Sequence, residues 1–205
     1  MITIETLKAD DYWTQRKNSG SPFVECQVTS AANWLNAQGI YPDTKGARLP
    51  DFIDDLCQSD HARAMAAAER WTGNPRELHS VLKWAIDTAA GRELDDFQKQ
   101  VPMRQIIFDV AHGKPVIVAG TFGPYQHVVC WSGLVTAQSD IGQTEEIAQV
   151  DLSLIVSARI ADPFGNLHTD YRDAQGYGCL FTMAELTQIL HAEGTNLKWA
   201  HRRIE

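Results

Sequence analysis

The stretch Cys26-Gln27-Val28-Thr29-Ser30-Ala31-Ala32-Asn33-Trp34-Leu35 has the spacing of a helix with a thiol at its start. Val28, Ala31, Ala32 and Leu35 fall at i, i+3, i+4 and i+7, which predicts a helix over residues 26–38. Gly39 stands where the left-handed residue after a helix belongs. A cysteine at a helix N-terminus meets the positive end of the dipole and unpaired N–H groups, both of which favour thiolate. A free cysteine is more often a small buried hydrophobe. Here Glu25, Gln27, Thr29 and Ser30 flank it with polar groups, which suits a partly exposed position.

Outward from that helix the chain changes texture once. Residues 1–18 read as a polar lead-in and Ser19-Gly20-Ser21-Pro22 as a turn. Residues 43–112 read as mostly helical, with helical spacing over 49–57, 62–71, 75–90 and 102–111. Asn74-Pro75 supplies an N-cap and a proline at the first helical position. Beyond this, residues 115–120 and 127–131 are short β-branched runs bounded by glycine, hence strands. Residues 147–161 add one or two more strands, and 136–146 form a polar loop between them. Thr182-Met183-Ala184-Glu185 is a capping box opening a helix to Ala192, with Gly194 behind it. The tail, Lys198 to Arg203, reads as a solvated helix end. A helical front and a strand-rich back, about 114–181, predict an α+β fold in one domain, 1–205.

Composition narrows the function. Acidic residues outnumber basic ones 26 to 18, a net charge of −8, which repels nucleic-acid backbones and anionic lipid. No apolar run reaches the length of a membrane span, and no basic segment leads into an apolar one near Met1. The four cysteines, at 26, 57, 130 and 179, lack CxxC spacing and read as free thiols of a chain made in the cytosol. Any work outside the cell would need a separate release step. There is no HExxH, Walker A, GxGxxG or GxSxG, and no metal or other cofactor is expected.

A cysteine nucleophile needs a base. His61, His79, His191 and His201 lie in polar, helical contexts and read as surface residues; His112 and His168 lie in a turn and a loop. His127 alone opens an apolar strand, where it is either a base facing the helix start or a core histidine bonded to a carbonyl. Asp162 follows the next β run and could hold that imidazole, or serve only the Asp-Pro-Phe-Gly turn. Gln15, eleven residues before Cys26, could join the Cys26 N–H as an oxyanion donor, or be a surface glutamine.

The order Gln15, Cys26, His127, Asp162 resembles the papain-like cysteine peptidases, and among them the double-glycine leader peptidases and their stand-alone bacterial and phage relatives. The resemblance is carried by residues 12–18 (YWTQRKN), 25–35, 113–118 (GKPVIV), His127-Val128-Val129 ahead of Gly133, and 161–166 (ADPFGN). Residues 43–112 carry almost none of it. Two features depart from the pattern: Gln126 stands where relatives have glycine before the histidine, and loop 136–146 lengthens the span from His127 to Asp162. The resemblance implies a helical lobe bearing the nucleophile helix, packed on an antiparallel sheet lobe, with a cleft between. It implies Cys26 as nucleophile, His127 as base, Asp162 as orienting group and Gln15 in the oxyanion hole. The expected activity is hydrolysis of a peptide or amide bond through an acyl-enzyme. By analogy with stand-alone members the expected substrate is peptidoglycan, cut by an endolysin-type phage enzyme, acting as a monomer without nucleic-acid partners or membrane insertion. Leader-peptide processing, transfer to an amine, and a non-catalytic binding or structural role on the same fold are the alternatives.

Overall fold

The computed structural model of the chain describes residues 1–21, 23–137, 140–190 and 196–204. In chain order these contain β1 (Ile2–Glu5), α1 (Cys26–Ala37), α2 (Leu49–Cys57), α3 (Asp60–Ala68), α4 (His79–Ala90), β2 (Asp95–Pro102) and α5 (Met103–Ala111). They continue with β3 (Val116–Phe122), β4 (Tyr125–Thr136), β5 (Ile155–Ala161), β6 (Cys179–Thr182), α6 (Met183–Ile189) and β7 (Asn196–Arg203). The strands form one antiparallel sheet in the order β2-β7-β3-β4-β5-β6. β1 pairs with Gly133–Thr136, past the segment of β4 that pairs with β3. Gly133 is needed there: a Cβ would sit 2.3 Å from the Ile4 carbonyl oxygen.

The sheet is covered on both faces, and its central strands show why. Val116, Val118, Val129 and Trp131 enter a core with Ile106 and Ile107 of α5 and Leu186 of α6. Ile117, Val128 and Cys130, alternate residues of the same strands, enter a second core with Val28, Trp34, Ile53 and Leu82 from α1, α2 and α4. Side chains alternate across a strand, so burial on both faces makes β3 and β4 almost uninterruptedly apolar.

Helix α1 is buried on nearly every side from Val28 to Ala37, although it carries Thr29, Ser30, Asn33 and Asn36. Each of these four side chains makes at least one hydrogen bond, as buried polar groups do. Ser30 Oγ donates to the Val128 carbonyl at 2.9 Å and Trp34 Nε1 to the Pro115 carbonyl at 2.6 Å, tying the helix to the sheet. Asn33 exchanges two hydrogen bonds with the Trp13 backbone, at 2.6 and 3.0 Å, and Asn36 Nδ2 donates to the Asp11 carbonyl at 2.7 Å. These bonds lay the lead-in segment along the helix. Gly39 has φ +69° and ends it.

The structure departs from the sequence reading in several places. The lead-in contains β1, and the 43–112 stretch contains β2, a polar edge strand (DDFQKQVP) whose one sheet neighbour among the described residues is β7. The tail is β7 itself, lying between β2 and β3, not a helix end. The helix expected over 75–90 breaks into a short 3-10 turn at Pro75–Glu77 followed by α4. Within 147–161 only Ile155–Ala161 is extended, after two 3-10 turns. α6 opens on the expected capping box; its expected run to Ala192, Gly194, His191 and Pro22 lie outside the described residues.

His201 and His79 overturn the surface assignment. His201 is fully buried, with Nδ1 2.5 Å from Asp95 Oδ2 and Nε2 3.0 Å from His79 Nδ1. His79 stacks on Phe97 with ring centroids 4.1 Å apart. Burial, then the neighbouring His201, pushes the His79 pKa down to about 4. The chain Asp95–His201–His79 thus joins β2, β7 and α4. We expect His201→Ala to lower unfolding free energy by about 3–5 kcal/mol, because it strands a buried carboxylate. Urea titration checks this against His61→Ala, an exposed site; equal small losses would show that the chain carries no stability.

Candidate active site

Cys26 is the first residue of α1, so its N–H has no partner within the helix. The preceding loop is pinned. Glu25 is buried, its Oε1 3.5 Å from Arg76 Nη1, and the same nitrogen lies 3.0 Å from Asp54 Oδ1. Ser19 N–H donates to Asp51 Oδ1 at 2.9 Å and Arg48 Nη1 to Asn18 Oδ1 at 3.0 Å, binding the loop to α2. Cys26 is partly exposed, whereas Cys57, Cys130 and Cys179 are buried. Burial pushes all three buried thiols up, Cys57 and Cys179 to about 12.

His127 lies on β4, opposite Gly120 of β3. Pairing of Cys130 with Ala161 brings the end of β5 alongside, so that Asp162, the next residue, meets the imidazole. Nε2 of His127 and Oδ1 of Asp162 are 2.7 Å apart, with both side chains buried. Burial alone would push the histidine pKa down. Hydrogen bonds to Asp162 and to the Cys26 thiol, with their electrostatic attraction, prevail and hold it up at about 10. Nε2 faces the carboxylate, which leaves Nδ1 for the sulfur.

Asp162 is itself held from every side. Its Oδ1 also accepts the Phe164 N–H at 2.9 Å, and the Tyr171 hydroxyl lies 3.4 Å from Oδ2. Its backbone N–H donates to the Gly176 carbonyl at 2.9 Å, and its carbonyl accepts the Tyr12 hydroxyl at 2.5 Å. Only glycine fits at 176, since a Cβ would come within 1.9 Å of the Asp162 carbonyl oxygen. Burial, reinforced by the charge of Asp162, raises the pKa of both Tyr12 and Tyr171, so both phenols stay neutral donors. Tyr171 carries no signal in the amino-acid sequence, and Tyr12 stands there only as part of the block 12–18.

Gln15 is buried, not a surface glutamine. It opens a short 3-10 turn capped by Thr14, and its N–H donates to the Pro163 carbonyl at 2.9 Å. Gln15, Cys26 and His127 share a cavity of about 250 Å³, whose other walls include Phe23, Pro124, Phe164 and Tyr171. Gln126 is exposed at its rim and donates to Thr121 Oγ1 at 2.6 Å, so the residue that replaces glycine costs the pocket little room. The described part of loop 136–146 contains a 3-10 turn, Asp140–Gln143, and none of its residues lines the cavity. The structure therefore brings all four sequence-derived residues together. Among the described residues no group of three or more His, Cys, Asp or Glu is placed to hold a metal ion. Among the same residues no helix is long and apolar enough to cross a membrane.

No family model matches the chain, and no curated protein matches it. Among solved structures, a crystal structure from Bacillus anthracis of a proposed C39-like peptidase superposes with a TM-score of 0.57 over 98% of both chains, at 15% identity. At that identity the likeness is one of fold: a mixed helix and antiparallel-sheet architecture similar to that of a C39-like peptidase.

Proposed function

We propose that this protein is a cysteine peptidase or amidase. The observation that carries the reading is His127, set between the Cys26 thiol and the buried Asp162 carboxylate. In this mechanism the Cys26 thiolate attacks the carbonyl carbon while the oxyanion takes hydrogen bonds from the Cys26 N–H and the Gln15 amide. The His127 imidazolium gives its proton to the departing amine, which leaves a thioester. His127 then takes a proton from water, the hydroxide displaces sulfur, and the acid product leaves. Asp162 stays ionised and orients the ring throughout. The fold likeness to a C39-like peptidase supports the same class of reaction. The finer form of the proposal, an endolysin-type enzyme cutting peptidoglycan crosslinks, rests on analogy with stand-alone relatives. Release of amino groups from purified peptidoglycan, without new reducing ends, is its test; cleavage of a double-glycine leader peptide instead would move the protein to leader processing.

Three outcomes follow for the reaction itself. Iodoacetamide at neutral pH should label Cys26 well before the other thiols, read by peptide mass spectrometry; Cys57 or Cys179 labelled first would remove Cys26 as nucleophile. Imidazole nitrogen NMR should find His127 protonated on both nitrogens at pH 8, and Asp162→Asn should bring its titration back towards neutrality. Because the folded pKa lies above the unfolded value near 6.5, His127 contributes stability in full below about pH 6.5 and loses it as pH rises through about 10. A wild-type ring titrating near 6.5 would refute the pair. Finally, Gln15→Ala should lower kcat by about 10²- to 10³-fold with KM little changed; an effect on KM alone would make Gln15 a binding residue.

A further inference from the structure

We infer that the cavity beside Cys26 takes a bulky, uncharged apolar side chain of the substrate, next to the bond that is cleaved. The inference rests on the cysteine-hydrolase reading and names its substrate class. Phe23 and Val24, just before the nucleophile, are 77% and 51% exposed, an unusual pair to leave bare beside the buried Glu25. The Phe23 ring lies 5.8 Å from Phe164, and Phe164 packs edge-on to Tyr171 at 5.2 Å. Both Phe164 and Tyr171 reach to 6.4 Å of the His127 ring. An aromatic wall therefore runs unbroken from solvent to the imidazole.

Charge and volume point the same way. Among the described residues the cavity lining contains no Lys, Arg, Asp or Glu. The cation near the wall, Arg16, lies 4.6 Å from the Phe164 centroid, but its Nε and Nη2 donate to the carbonyls of Phe164 and Tyr171 at 2.6 and 2.5 Å. Away from His127 and Gln15, which the reaction itself engages, a substrate carboxylate lodged against the Phe23, Phe164 and Pro124 wall would be desolvated without a partner. A void of about 150 Å³ holds a benzene ring, so about 250 Å³ is far more than a glycine fills. Tyr171 is also held at a cost. It and Asp170 are successive non-glycine residues with φ +59° and +53°. Such conformations persist where surrounding contacts over-determine them, and they cluster at ligand clamps. The Arg16 bond to the Tyr171 carbonyl and the Tyr171 N–H bond to Asn166 at 3.1 Å supply those contacts.

The test is the rate of Cys26 alkylation by three chloromethyl ketones, those of acetyl-phenylalanine, acetyl-glycine and acetyl-glutamate, with iodoacetamide as a small reference. The phenylalanine reagent should react at least about tenfold faster than either other ketone. Phe23→Ala, at an exposed site that the fold does not need, should bring the three rates within about threefold. Equal rates, or a faster glycine or glutamate reagent, with Cys26 still labelled by iodoacetamide, would overturn the pocket assignment alone. A Cys26 inert to all four reagents would overturn the hydrolase reading beneath it.

Discussion

The buried contact between His127 and Asp162 is the constraint around which this molecule is arranged. Removing two ionisable groups from water is expensive, and mutual attraction compensates only when the remaining lone pairs are also satisfied. Here the carboxylate accepts from the imidazole and the Phe164 N–H, with the Tyr171 hydroxyl beside its second oxygen. The backbone at Asp162 is fixed by Gly176 and by Tyr12. Those partners come from the lead-in, from the turn after β5 and from the strand-to-strand connection before β6. One ion pair thus dictates the path of three otherwise irregular segments.

Register is the second condition. β3 and β4 send alternate residues into two different cores, so a slip of one residue would exchange Val128 and Cys130 with Val129 and Trp131. The same slip would carry His127 away from Asp162. Packing on both faces thereby sets the geometry of the chemical groups, without any of the packed residues touching a substrate. On the helical side, Ser30 and Trp34 donate to backbone carbonyls at β4 and just before β3, which fixes where the start of α1 falls.

What was legible in the sequence follows from locality. α1 and its terminal glycine, the central strands and the capping box of α6 are each specified by residues close in the chain, and they lie where their patterns put them. Gln15, Cys26, His127 and Asp162 could be picked out because each sits at a punctuation point: a turn, a helix start, a strand start, a strand end. β2 and β7 could not be read this way. Their residues are polar by composition, and His201 counts as core only because Asp95, 106 residues away, bonds it. Tyr171 was hidden for the same reason. Its phenol acquires a role only through Asp162, and its backbone conformation is one that sequence patterns do not advertise.

The place of β7 in the sheet bears on the order in which the molecule can come into being. Strand β2 touches the rest of the sheet only through residues 196–203, so no portion of the chain shorter than that can hold β2 in place. As a ribosome extends the chain, Cys26, His127 and Asp162 have all emerged while β2 still lacks its neighbour and Asp95 still lacks His201. Pairings so distant in sequence form late and slowly. Residues 196–203 therefore close the sheet, and a growing chain of this topology carries β2 unpaired until they dock.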